Sequence, residues 1–183
     1  MAVRALVRFK AADIWDTPDD GNSYEVIDGE LYVTPPPNTA HQNASSNLFR
    51  YLGPHVHQHG LGKVMYAPVE VVLDEGSGVQ PDIVFVCRDR LGIIAEQAIE
   101  GPPDLVVEIL SPRTRSRDRG IKMRRYASAG IPHYWLLDPR SRSLEPYRLT
   151  ETGYKRVGIY GPGSVFEPDL FPGLAIPIDE LWT

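Results

Sequence analysis

At 183 residues, with 42% hydrophobic and 23% charged side chains, the chain has the size and composition of one globular domain, and its 16 glycines and 17 prolines point to many turns, not to disorder. The formal net charge of -5 argues against a protein whose main task is coating nucleic acid, because phosphate contacts require positive potential. The single cysteine, Cys87, excludes an intrachain disulfide, and no run approaches the ~18 apolar residues of a membrane span, so a soluble protein of a reducing, cytoplasmic compartment is expected.

In chain order, Arg4 and Arg8 interrupt any signal-peptide core within residues 1–10. Residues 9–15 read as a short helix ended by Thr17 and Pro18. Two strands, 24–27 and 30–33, follow across Asp28-Gly29, a dipeptide that accepts the positive φ values of a hairpin turn. Pro35, Pro36 and Pro37 break regular structure. Thr39 then reads as the N-cap of a helix over 40–59, stopped by Gly60 and Gly62. Residues 64–73, 82–86 and 105–110 are apolar and β-branched, as core strands are, and Cys87 reads as a small buried side chain beside one of them. A helix is expected over 121–129, capped by Asp118 and ended by Gly130 and Pro132. Strands at 134–137, 144–149 and 154–160 come next, and a proline-rich tail from 161 wraps the surface or forms an oligomer contact. The order predicts a mixed α/β sandwich around one sheet, in a single domain over 1–183: an N-terminal extension at 1–38, a core at 39–160 and the tail at 161–183.

Chemistry is suggested where carboxylates interrupt apolar strands. An ionised carboxylate costs several kcal/mol to bury unless a cation or donors compensate, so Glu108 within Leu105-Val106-Val107-Glu108-Ile109-Leu110 needs a partner. Alternation puts Asp104, Val106, Glu108 and Leu110 on one face, leaving Val107 and Ile109 to pack behind. Asp82 heads the strand after Pro81. If that strand neighbours the Glu108 strand, two carboxylates come together and call for a divalent ion, Mg²⁺ or Mn²⁺ for oxygen-only ligands. Glu70 repeats the pattern, which an exposed strand face also explains. Lys122, with Tyr126 one helical turn later, supplies a positive group able to stabilise charge developing on phosphorus. From Arg113 to Arg125 run seven basic residues (Arg113, Arg115, Arg117, Arg119, Lys122, Arg124 and Arg125) against the single acid Asp118, a strip suited to a phosphate backbone. The histidines His55, His57 and His59 read as an exposed helix end favoured by the helix dipole, and Tyr134 and Trp135 as packing.

Pro81-Asp82, the run from Pro103 to Pro112, Asp118 with Lys122 and Tyr126, and Tyr134-Trp135-Leu136-Leu137-Asp138-Pro139 together resemble the Uma family of restriction-endonuclease-like proteins, within the PD-(D/E)XK nuclease superfamily. The likeness extends from the Tyr24 to Glu30 segment and His41 through Pro172-Gly173-Leu174. It implies a mixed central sheet flanked by helices with an N-terminal β-hairpin, and a Mg²⁺-dependent endonuclease acting on DNA. Asp82 and Glu108 would be the metal-binding acids. The superfamily lysine expected two residues after Glu108 is replaced by Leu110, and the resemblance implies that Lys122 takes its part. Glu30, His41 and Glu70 are supporting candidates, since superfamily members often add an acid from the first core helix and none stands in 40–59. A homodimer is expected, because two related sites most simply cut both strands. A non-catalytic nucleic-acid-binding or assembly module with the same fold remains the alternative. A carboxylate-pair glycosidase would leave Lys122 and the arginine strip without a role.

Overall fold

The computed structural model describes residues 8–183; the expectation that no signal-peptide core lies within 1–10 falls largely outside them. A 3₁₀ helix, Ala11–Asp16, replaces the short helix expected at 9–15. Strands β1 (Ser23–Ile27) and β2 (Glu30–Thr34) form the hairpin, with φ of 53° at Asp28 and 83° at Gly29, as a turn with two left-handed residues requires. Helix α1 (Thr39–Gln58) begins one residue earlier than expected, because Asn38 and not Thr39 is the cap: its Oδ1 accepts the His41 backbone N–H at 2.9 Å.

The apolar stretch 64–73 is two strands, β3 (Gly62–Tyr66) and β4 (Val71–Asp74), and they belong to different sheets. A further strand, β5 (Ser77–Val79), was hidden by its glycine-rich composition. Next come β6 (Ile83–Cys87), β7 (Ile99–Glu100) and β8 (Leu105–Ile109). The helical stretch after β8 starts at Arg115 and not at Ile121: α2 (Arg115–Arg117), one π-helical turn (Asp118–Lys122) and α3 (Met123–Ser128) are continuous, so Asp118 lies inside a helix and does not cap one. Strands β9 (His133–Asp138), β10 (Ser143–Thr150) and β11 (Gly153–Arg156) follow, then the short pair β12 (Val165–Phe166) and β13 (Ile176–Pro177) and a closing 3₁₀ helix, Ile178–Trp182.

The central sheet has six strands in the order β11-β10-β9-β8-β6-β3, antiparallel except for the parallel β8–β9 pair. A second, five-stranded sheet has the order β2-β1-β5-β4-β7 and contains the hairpin, so two main sheets replace the one expected. One face of the central sheet presents Ile83, Phe85, Leu105, Val107, Trp135 and Leu137 to α1 and to the tail. The tail contributes Phe166, Phe171, Leu174, Ile176, Ile178 and Leu181 to that core, so these side chains are committed inside the protein and not to an oligomer contact. The opposite face, with Val84, Val106, Tyr134 and Leu136, packs against Tyr126 of α3 and against Ile27, Val71, Val79 and Ile99 of the second sheet. Among the described residues, no helix is long and apolar enough to cross a membrane.

Candidate active site

The antiparallel register that pairs Ile83 with Val107 continues to set Asp82 opposite Glu108. Period-two alternation then aims both acids to the side that carries Val84 and Val106, toward the second sheet. Asp82 Oδ2 accepts the Ile109 backbone N–H at 2.7 Å and stands 3.3 Å from His41 Nε2, in the first turn of α1. Glu108 is 4% exposed; its Oε1 accepts Tyr126 Oη–H at 2.6 Å and lies 2.6 Å from Lys122 Nζ. Lys122, 2% exposed, ends the π-helical turn and also donates to Glu25 Oε1 at 2.7 Å. Glu25 comes from β1. Its Oε1 accepts the Gln80 backbone N–H at 3.0 Å, and its Oε2 lies 3.3 Å from Arg117 Nη2. Asp118, 2% exposed, starts the same π turn, whose backbone is pinned where Tyr134 Oη donates to the Asp118 carbonyl at 3.0 Å. Wide turns of this kind are frequent at functional sites.

Glu25, His41, Asp82, Glu108, Arg117, Asp118 and Lys122 line a cleft of about 500 Å³ whose walls also include Pro35, Pro36, Pro37, Ser111, Pro112 and Arg113. Burial pushes the Glu108 carboxyl well above the ordinary range, and the charges of Asp118, Asp82 and Glu25 add to that push against the pull of Lys122. Burial likewise raises Asp118. For Lys122, burial favours the neutral amine, but Glu108 and Glu25 outweigh it and hold the ammonium charged. Glu25 is lowered because Lys122 and Arg117 outweigh its own burial. His41 is raised, since its bond to Asp82 outweighs burial.

Of the residues singled out from sequence, the fold brings Asp82, Glu108, Lys122 and His41 to one cleft, with Tyr126 directly behind Glu108. It leaves two outside. Glu30 is exposed at the hairpin turn, bonded to Tyr32 Oη at 2.9 Å. Glu70 is buried beneath Trp15, whose Nε1 donates to it at 2.7 Å, so it is not the exposed strand position its alternation suggested. The acids that complete the cleft are Glu25 and Asp118. Glu25 had no mark beyond its place in a hairpin strand, and Asp118 had its spacing of four from Lys122.

The arginine strip is largely paired with the chain's own carboxylates. Arg115 bonds Asp138 at 2.7 and 2.8 Å, Arg119 bonds Glu145, Arg117 reaches Glu25 and Thr34, and Arg125 bonds Asp74 and Ser77. These contacts fasten the helical stretch that carries Asp118 and Lys122 to both sheets. Arg113 and Arg124 are exposed, Arg113 at the cleft.

The donor set suits a small hard dication. Four carboxyl groups, Glu25, Asp82, Glu108 and Asp118, line the cleft with three permanent cations, Lys122, Arg117 and Arg113, and carboxylate oxygens of this kind are the ligands an oxygen-seeking ion takes. Among the described residues, no three His, Cys, Asp or Glu side chains form a ready-made cage.

No curated protein matches the chain. A crystal structure titled as that of "a putative nuclease belonging to DUF820" from Anabaena variabilis superposes with a TM-score of 0.78 at 18% sequence identity, over 95% of this chain and 97% of that one, and so has the same fold. The model of the Uma2 family, described as "Putative restriction endonuclease", matches residues 11–179, nearly the whole chain. The chain belongs to this family, and its mixed α and β fold is consistent with a restriction-endonuclease-like core.

Proposed function

We propose that the protein is a Mg²⁺- or Mn²⁺-dependent endonuclease that hydrolyses DNA phosphodiester bonds at the Asp82–Glu108–Lys122 cleft. The observation that carries this reading is the convergence of two acids from adjoining strands with a buried ammonium 2.6 Å from one of them. Membership of a family described as restriction endonucleases and the name of the Anabaena relative support it.

Asp82 and Glu108 would hold the dication. When bound, it would activate water and neutralise charge on the phosphoryl oxygens. The chain's own groups do the rest. Lys122, kept charged by its two carboxylates, stabilises negative charge as it builds on phosphorus. Tyr126 fixes the Glu108 oxygen that it bonds, and His41 steadies Asp82. Arg113 at the cleft, with Arg124 farther along the helical stretch, would meet backbone phosphate, while Arg115, Arg117, Arg119 and Arg125 act mainly by anchoring that stretch. The enzyme would act in the cytoplasm, as a homodimer where both strands of a duplex are cut.

Purified protein should nick or cut plasmid in Mg²⁺ and stop in EDTA, and Asp82→Ala and Glu108→Ala should each abolish cleavage. Cleavage that survives both substitutions overturns the mechanism. Salt-sensitive DNA binding with no cleavage under any divalent metal would instead assign a non-catalytic nucleic-acid-binding or assembly module.

A further inference from the structure

Lys122 has two anionic neighbours, and they stand differently toward a dication. Glu108 faces Asp82 across adjoining strands, so a cation shared by those acids would compete with the ammonium for the Glu108 carboxylate. Glu25 belongs to the other sheet, and fixed donors hold both of its oxygens. Gln80 N–H and Lys122 take Oε1, and Arg117 takes Oε2. Gln80 lies two residues before Asp82, so one peptide segment anchors Glu25 and presents Asp82. Glu25 therefore lines the cleft yet is not free to turn toward the paired acids.

Resting on the reading of this cleft as a metal-dependent nuclease site, we propose that Glu25 is a positioning residue: it keeps the Lys122 ammonium in place while Glu108 engages a dication. As a buried counter-ion alone, Glu108 would be enough. Glu25 is a second carboxylate on the same ammonium, and its Oε2 lies 3.3 Å from Arg117 Nη2, so its charge stays compensated whether or not Glu108 shares Lys122. The arrangement makes sense where one of the two carboxylates is withdrawn during function. Glu25 then remains, and Lys122 stays beside the phosphate instead of following Glu108 or turning to solvent. The hairpin thus completes a centre whose other members come from the central sheet and the helical stretch after it.

The test combines a spectroscopic and a kinetic readout. In protein labelled with ¹⁵N-lysine, the slowly exchanging ammonium resonance of buried Lys122, assigned by its loss in Lys122→Gln, should persist in the parent protein when Mg²⁺ is added. In Glu25→Gln it should disappear once Mg²⁺ is added. On plasmid, Glu25→Gln should lower kcat by about 10- to 100-fold with KM for DNA unchanged, Glu25→Asp should recover part of the loss, and Glu25→Gln combined with Lys122→Gln should be no slower than Lys122→Gln alone. An ammonium signal in Glu25→Gln that is indifferent to Mg²⁺, or losses that multiply in the double variant, would overturn the proposal. Should Glu25→Gln not fold, Glu25→Asp alone carries the same comparison with a smaller effect. If the parent protein cuts no DNA, the nuclease reading falls, while the resonance still decides whether Glu25 holds Lys122 in the presence of Mg²⁺.

Discussion

The two faces of the six-stranded sheet use the same strands and differ in what covers them. Under α1 and the tail, Phe85, Val107, Trp135 and Leu137 meet an almost wholly apolar layer. On the other side, the second sheet and the helical stretch after β8 bring Glu25 and Lys122 to Glu108. A single residue step along β8 separates the two regimes: Val107 packs into one, and Glu108 reaches into the other. The contrast teaches that a buried carboxylate persists only where the covering layer carries cations and donors to meet it.

The sharpest break of this comparison is on the apolar face. Trp135→Ala opens a cavity against Phe166 and Phe171 and should destabilise the protein by about 3–5 kcal/mol in denaturant unfolding, without altering the turnover of the molecules that stay folded. A cost as small as a surface substitution would mean that this face does not carry the core. On the polar face the effect should run through the metal. At a hundredfold excess over its Kd, Mg²⁺ should stabilise the fold by about 2.7 kcal/mol, read as a rise in Tm, and the rise should vanish in Asp82→Ala. Metal-free Glu108→Gln, which removes one of four crowded acids, should unfold at no lower temperature than the parent.

The smallest effect concerns Glu70, a buried carboxyl outside the cleft whose recorded partner is an indole N–H. Burial raises its pKa, so the fold favours the protonated form. Stability is highest below about pH 4.5, where folded and unfolded chains both carry the proton, and falls as pH rises from there through the raised folded-state value. Glu70→Gln keeps the acceptor and removes the titration. It should be more stable than the parent near pH 8 and no more stable near pH 4, as followed by urea unfolding at each pH. An equal gain at both would show that Glu70 is not held protonated.

Asp82 and Glu108 were legible in the sequence because an acid in or at the head of an apolar strand is an energetic anomaly that needs no structure to notice. The hairpin was legible because Asp28-Gly29 accepts the backbone angles found there. Glu30 was chosen as the hairpin's contribution, yet the register sets it opposite Ile27 beside the turn, away from the cleft. Glu25, two residues before Ile27, reads locally as the polar side of an alternating strand; its burial depends on a second sheet docking, which local pattern does not encode. Asp118 read as a cap because the π turn that continues the helix through it leaves no compositional trace. The arginines read as a surface strip since their partners Glu145, Asp138 and Asp74 lie 26, 23 and 51 residues away in the chain.

Glu25 and Lys122 are separated by 97 residues, so the ammonium gains its second partner only through a long-range closure, the slow kind of event in folding. During synthesis Glu25 leaves the ribosome early and meets the Gln80 N–H before Arg117 and the Lys122 ammonium follow. A half-made chain therefore carries the acids of the proposed centre before it can carry the complete centre, and hydrolytic competence would arrive together with final assembly.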